Sequence, residues 1–161
     1  AQTANILLYL GDQLRLAPTS EAGRLWVHQL QLTIMDFVVE IHDTHHPIGS
    51  GLYYADQKPE AARRADDFRA HRAPKCFDYF ERVLAASGGP WLAGRRCCYA
   101  DLSMFQIVEG MRYAFPKLSK RLAKKHPRLT DLAARVAARP RIAGYLESER
   151  RIPFNEMGLL R

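Results

Sequence analysis

A chain of 161 residues, 47% hydrophobic and 25% charged, is long enough to bury one real core and too apolar for an intrinsically disordered segment. Its longest unbroken apolar runs, such as "ILLYL" at 6–10, are far too short to cross a bilayer, and no leader pattern opens the chain, so neither export nor a membrane is expected. The formal net charge of +7 lies at one end: residues 1–116 carry 12 Lys+Arg against 13 Asp+Glu, and residues 117–161 carry 12 against 4.

No segment sustains a two-residue alternation rich in β-branched and aromatic side chains, whereas helical periodicity occupies nearly everything. The expected fold class is all-α. A first helix is predicted from about Gln2 to Leu10, ended by Gly11. After a polar connection containing Pro18, Thr19 and Ser20 are good N-caps for a long helix from about Glu21 to His46, closed by Pro47. "PIGSGLYYADQ" reads as a loop. The next helix runs from about Pro59 to Ala86 and has to bend near Pro74, whose ring removes one backbone hydrogen bond. Gly88, Gly89 and Pro90 end it. A helix from Tyr99 to Tyr113 follows; Pro116, Pro127 and Pro140 each open a short helix; and the chain after Ser148 is irregular.

On a helical wheel, Trp26, Leu30, Ile34, Phe37 and Ile41 fall on one side of the long helix and Leu25, Leu32, Met35 and Val39 on roughly the opposite side. Only the arc with Gln29, Thr33, Asp36 and Glu40 is polar. One apolar stripe serves the core; the other meets a second domain, a subunit or a ligand, unless the helix is simply wrapped by its own domain.

The segment "PWLAGRRCCYADLSMFQ" places a carboxylate, Asp101, among Leu102, Met104 and Phe105. A helix apolar on most sides sits inside a bundle, and its first N–H groups would lie buried without partners, at about 1–3 kcal/mol each. Asp101 stands three residues after Cys98, the spacing at which a carboxylate reaches back to the N-cap N–H in a capping box. The pair Cys98 and Asp101 is therefore a structural cap. A thiol is a weaker acceptor than a hydroxyl, so the Asp101 half of the box is the firmer one.

"GPWLAGRRCCYADLSMFQ" resembles the segment of cytosolic glutathione transferases in which a Ser/Thr-x-x-Asp box opens the central helix of the C-terminal domain. "AQTANILLYLG" is similar to the last helix of their thioredoxin-like domain, "ARPRIAGYLESERR" to their closing helix, and the stretch from His42 through Leu84 to a bacterial and fungal subgroup near the sigma and pi classes. The resemblance implies that residues 1–18 are the last helix of a thioredoxin-like domain plus linker, and residues 19–161 the all-helical C-terminal domain. With Ala1 in place of a methionine, the chain reads as part of a longer protein.

The same resemblance implies conjugation of glutathione to a small electrophile by a cytoplasmic homodimer. Gln2 and Thr3 match the pair that holds the γ-glutamyl end of glutathione at the start of the last thioredoxin-domain helix, a helix N-terminus being a good carboxylate site. Asp36 matches the residue that reaches the glutathione amino group of the neighbouring subunit. Met35, Val39, His42 and His46 would line the electrophile pocket; Tyr53 and Tyr54 either reach it or merely pack. The thiol-activating Tyr, Ser or Cys of the family lies upstream of Ala1, so no catalytic residue is assigned in this chain. An alternative reading is a non-enzymatic transferase-like domain used in protein assembly.

Other chemistries are weaker. "HDTHH" offers His42, His45, His46 and Asp43 to a metal, yet histidines in a last helical turn are favoured by the helix dipole, and no metal is assigned. "KLSKRLAKK" interleaves its cations with Leu118 and Leu122 as a solvated helix face does, without a zinc-finger, RNA-binding or phosphate-loop signature, so nucleic acid is not an expected partner. Cys76, Cys97 and Cys98 are odd in number, with an adjacent pair poorly placed for a disulfide, which fits a reducing compartment. Cys97 and Cys98 read as structural thiols, not nucleophiles.

Overall fold

In the computed structural model, residues 2–156 and 158–160 are described. They form eight α-helices: α1 (Thr3–Gln13), α2 (Glu21–His42), α3 (Lys58–Asp67), α4 (Ala73–Ala86), α5 (Tyr99–Ala114), α6 (Pro116–Lys125), α7 (Pro127–Ala137) and α8 (Pro140–Leu146). No strand occurs among the described residues; a single bridge between Trp91 and Gly94 tightens the loop before α5.

Helix α5 is the centre of the bundle and touches α1, α2, α6 and α7. Its first turn begins in a dry environment: Tyr99, Ala100, Asp101 and Met104 are all 2% exposed or less. Asp101 Oδ2 accepts the Cys98 N–H at 2.7 Å and Oδ1 accepts the Leu92 N–H at 2.8 Å. Cys98 Sγ faces the Asp101 N–H to complete the box, sulfur being a weak acceptor. One carboxylate thus fixes both the helix start and the loop that leads into it. The α1–α2 connection is tied to the same place by the Tyr99 N–H, which donates to Leu16 O at 2.9 Å.

Helix α1 runs through Gly11 to Gln13 instead of stopping at Leu10. The glycine is there for closeness: a Cβ at that position would lie 2.4 Å from Cδ1 of the buried Tyr99 ring. Helix α2 starts where Ser20 predicts, its Oγ accepting the Gly23 N–H at 3.2 Å. It ends at His42, four residues before the expected end, because the Thr44 hydroxyl donates to Ile41 O at 2.7 Å and the following N–H groups of Thr44 and His45 turn back three residues. Its buried stripe is Val27, Leu30, Ile34, Phe37 and Ile41. Trp26, placed with that stripe on the wheel, is 43% exposed, and Val27 takes the core position one residue round.

The bend expected at Pro74 is resolved just upstream. The chain widens into a π turn over Phe68–Arg72, so that α4 begins afresh with Pro74 in its first turn, where a missing N–H costs nothing. Between α2 and α3, the loop is organised by the fully buried Gln57, whose side-chain oxygen accepts the Ile48 N–H at 2.9 Å while its amide donates to Gly49 O at 3.1 Å and Leu52 O at 3.2 Å. Beyond α8 the chain returns over α5: Phe154 stacks on Tyr113 at 5.2 Å and Leu160 is buried against Gly110.

Candidate functional site

Helix α2 carries most of the candidate residues, and its polar arc does not simply face water. The Gln29 amide donates to Thr33 Oγ1 at 3.1 Å and to the Tyr79 hydroxyl of α4 at 3.2 Å. Two turns on, Glu40 accepts a bidentate pair from Arg72, Nε to Oε2 at 2.6 Å and Nη2 to Oε1 at 2.7 Å. That hydrogen bonding holds the Glu40 carboxyl below the usual glutamate range despite its partial burial. Between these two links lies a cleft of about 270 Å³, with Phe37, Cys76 and Tyr79 as its floor and Asp36, Lys75 and Arg82 among its walls. Asp36 is exposed within it. No described residue of α1 lines this cleft.

Gln2 and Thr3 open α1 and are exposed. Gln2 holds the N-cap position in extended backbone, φ −91° and ψ 128°, without a side-chain hydrogen bond to the helix start. No side chain caps the first N–H groups of α1, and an uncapped helix N-terminus is suited to a carboxylate. A single copy of the chain keeps Gln2 and Thr3 out of the cavity that contains Asp36.

Met35, Val39, His42 and His46 follow one another down α2 to the turn beyond it. Met35 is half-buried, its sulfur accepting from the Gln31 amide at 3.4 Å, and Val39 is 58% exposed. His42 and His46 stack with ring centroids 5.0 Å apart. His45 packs edge-on against both rings but is itself buried, 5% exposed: its Nδ1 faces His46 Nδ1 at 2.6 Å and its Nε2 faces Leu159 O at 3.1 Å. Among the described residues no group of three His, Cys, Asp or Glu side chains is arranged to hold a metal ion. Of the two tyrosines, Tyr54 lines a cleft of about 380 Å³ together with His45, Asp66, Arg69 and Phe115, while Tyr53 is 83% exposed.

The three thiols are all free and all pushed upward by burial, Cys97 to about 11 and Cys76 and Cys98 further. At neutral pH they are neutral and none is an activated nucleophile.

Residues 42–149 match the family model described as glutathione S-transferase, C-terminal domain. The chain belongs to the glutathione S-transferase family. Glutathione S-transferase P 1 of Xenopus laevis is 31% identical over 153 residues, covering 93% of this chain and 64% of that protein. Glutathione S-transferase Mu 3 of Mus musculus is 26% identical, with 94% and 62% covered. The chain thus spans under two thirds of the length of these curated relatives. Among solved structures, the prostaglandin synthase D of Nilaparvata lugens superposes with a TM-score of 0.76 at 21% identity, over 95% of this chain and 70% of that one. A Burkholderia graminis glutathione transferase, solved with two glutathione molecules bound per subunit, gives 0.72 at 23% identity, over 94% and 61%. At these identities the structural likeness speaks for the fold, which is that of the all-helical transferase domain.

Sequence reasoning missed two features of this transferase chain. The outer side of α1 is apolar, with Ile6 45%, Tyr9 66%, Leu10 39% and Leu14 62% exposed, and "NILLYL" carries that signal by being apolar on every side of the helix. The pairing of Glu40 with Arg72 is 32 residues apart in sequence and has no local signature.

Proposed function

We propose that the chain is the helical part of an enzyme that conjugates glutathione to small electrophiles in the cytoplasm. The observation that carries this reading is the family match over residues 42–149 together with an uncapped α1 N-terminus at Gln2 and Thr3. Residues 1–18 are read as the last helix and linker of a thioredoxin-like domain, and residues 19–161 as the C-terminal domain. The exposed apolar side of α1 suits packing against the rest of that thioredoxin-like domain, since a contiguous apolar patch on a surface marks a contact.

In this reading, Gln2 and the Thr3 hydroxyl bind the γ-glutamyl carboxylate with the help of the α1 N–H groups. Asp36, in a cleft that Gln2 and Thr3 do not line within one copy, takes the amino group of the glutathione bound by a neighbouring subunit, as a carboxylate does for an ammonium group. The exposed stripe of Leu25, Leu32 and Val39 supplies the homodimer contact beside it. Met35, Val39, His42 and His46 form the wall that receives the electrophile. The activation of the glutathione thiol is not assigned to any of these 161 residues, and the neutral state of Cys97 and Cys98 supports leaving them out of the chemistry.

The test is retention of the intact protein on immobilised glutathione followed by turnover of a chlorodinitrobenzene. Retention with glutathione-dependent turnover supports the proposal; a folded protein that neither binds glutathione nor turns over the electrophile contradicts it.

A further inference from the structure

The connection between α1 and α2 and the loop before α5 enclose a cleft of about 300 Å³. Its walls carry three arginines, Arg15, Arg95 and Arg96, two hydroxyl side chains, Thr19 and Ser20, and the thiol of Cys97, and no carboxylate. Among the described residues none of the three guanidiniums takes part in an ion pair. Asp101 gives both oxygens to backbone N–H groups, Asp12 lies 3.9 Å from Arg24, and Glu21 does not line the space.

Three like charges around one cleft repel one another, and the repulsion is relieved by an anion between them. Guanidinium groups present planar, bidentate donors that match phosphate oxygens. Ser20 Oγ already accepts the Gly23 N–H, which leaves its hydroxyl hydrogen to donate. Cys97, a neutral thiol, adds no opposing charge. A space of about 300 Å³ is the size of a small-molecule site, larger than a bare oxyanion requires. Gln2, Thr3 and Asp36 are not part of it.

We propose that this cleft binds a phosphorylated small molecule, its phosphate held by Arg15, Arg95 and Arg96 and its organic part seated against Ala17, Pro18 and Ala93. The site is separate from the glutathione residues and does not depend on them.

Calorimetric titration of the intact protein at low salt tests this with three probes: ribose 5-phosphate, inorganic phosphate and ribose. Ribose 5-phosphate is expected to bind saturably and at least roughly tenfold more tightly than inorganic phosphate, with no heat from ribose. Replacing Arg95 and Arg96 together by Gln is expected to weaken the phosphorylated probe by at least about tenfold with an unchanged melting temperature, since both side chains are exposed. Arg15→Gly is expected to weaken it as well without loss of fold, because Arg15 holds a positive φ of 57° that glycine adopts readily. Equal affinity for inorganic phosphate and ribose 5-phosphate, absence of saturable binding, or binding that survives both variants would each overturn the proposal.

Discussion

Asp101 reaches back nine residues to Leu92 and three to Cys98, binding one backbone N–H with each carboxylate oxygen, at 2.8 and 2.7 Å. Asp101→Ala strands both donors in a site that is 0% exposed, and is expected to cost about 2–5 kcal/mol in urea unfolding. Asp101→Asn keeps one acceptor and is expected to lose less. Cys98→Ser replaces a weak sulfur acceptor by a good one and is expected to raise stability by about 0.5–1 kcal/mol.

Two glycines in contact with the core differ in what faces them. At Gly11 a methyl group would meet the Tyr99 ring at 2.4 Å, and at Gly110 it would meet the end of the Leu160 side chain at 2.0 Å. The ring is fixed in the bundle centre, whereas Leu160 belongs to the returning tail. Gly11→Ala is therefore expected to lower global stability by about 1–3 kcal/mol. Gly110→Ala is expected to leave the melting temperature nearly unchanged while hydrogen exchange across residues 150–160 accelerates.

The Glu40–Arg72 pair gives a pH dependence of known sign. Hydrogen bonding to Arg72 holds the folded-state carboxyl below its usual value of 4.5, so its contribution is present above that value and fades as pH falls through the lowered one. Acid unfolding curves of Glu40→Gln are expected to be flatter than wild type below pH 4.5 and parallel to it at neutral pH. Identical slopes in the acid limb would show that the pair adds nothing.

Local chemistry made much of the fold legible. The Ser20 cap, the three prolines that open α6, α7 and α8, and the acid three residues after Cys98 each act over a few residues, so spacing alone located them. Gly11 misled for the opposite reason: its usual effect on a lone helix did not apply, because the glycine is set there by a distant ring. Pro74 did mark the break between α3 and α4, but the π turn that takes it up could not be read from the proline alone. The candidate site was legible in part: Asp36 could be placed on a polar arc from periodicity, but the cleft around it is made by Arg72, Lys75 and Tyr79 of another segment. His45 stood out in the sequence only as one histidine of a cluster; its contact with Leu159 O, 114 residues away, has no local signature.

The outward stripe of α2 bears on assembly. Leu25, Leu32 and Val39 are 63%, 47% and 58% exposed, so charging them costs the monomer little. If the proposed homodimer contact lies there, Leu32→Glu combined with Val39→Lys is expected to shift the intact protein from dimer to monomer in sedimentation velocity, with the helical circular dichroism retained. A dimer that persists in this variant would place the contact elsewhere.

The most direct measurement is a calorimetric titration of glutathione into the intact protein, its Thr3→Ala variant and its Asp36→Asn variant. One saturable site per subunit is expected in the wild type, weakened by roughly five- to tenfold in each variant through loss of a hydrogen bond or ion pair to the tripeptide. No saturable heat, or wild-type affinity in both variants, would contradict the assignment of this chain to the glutathione site.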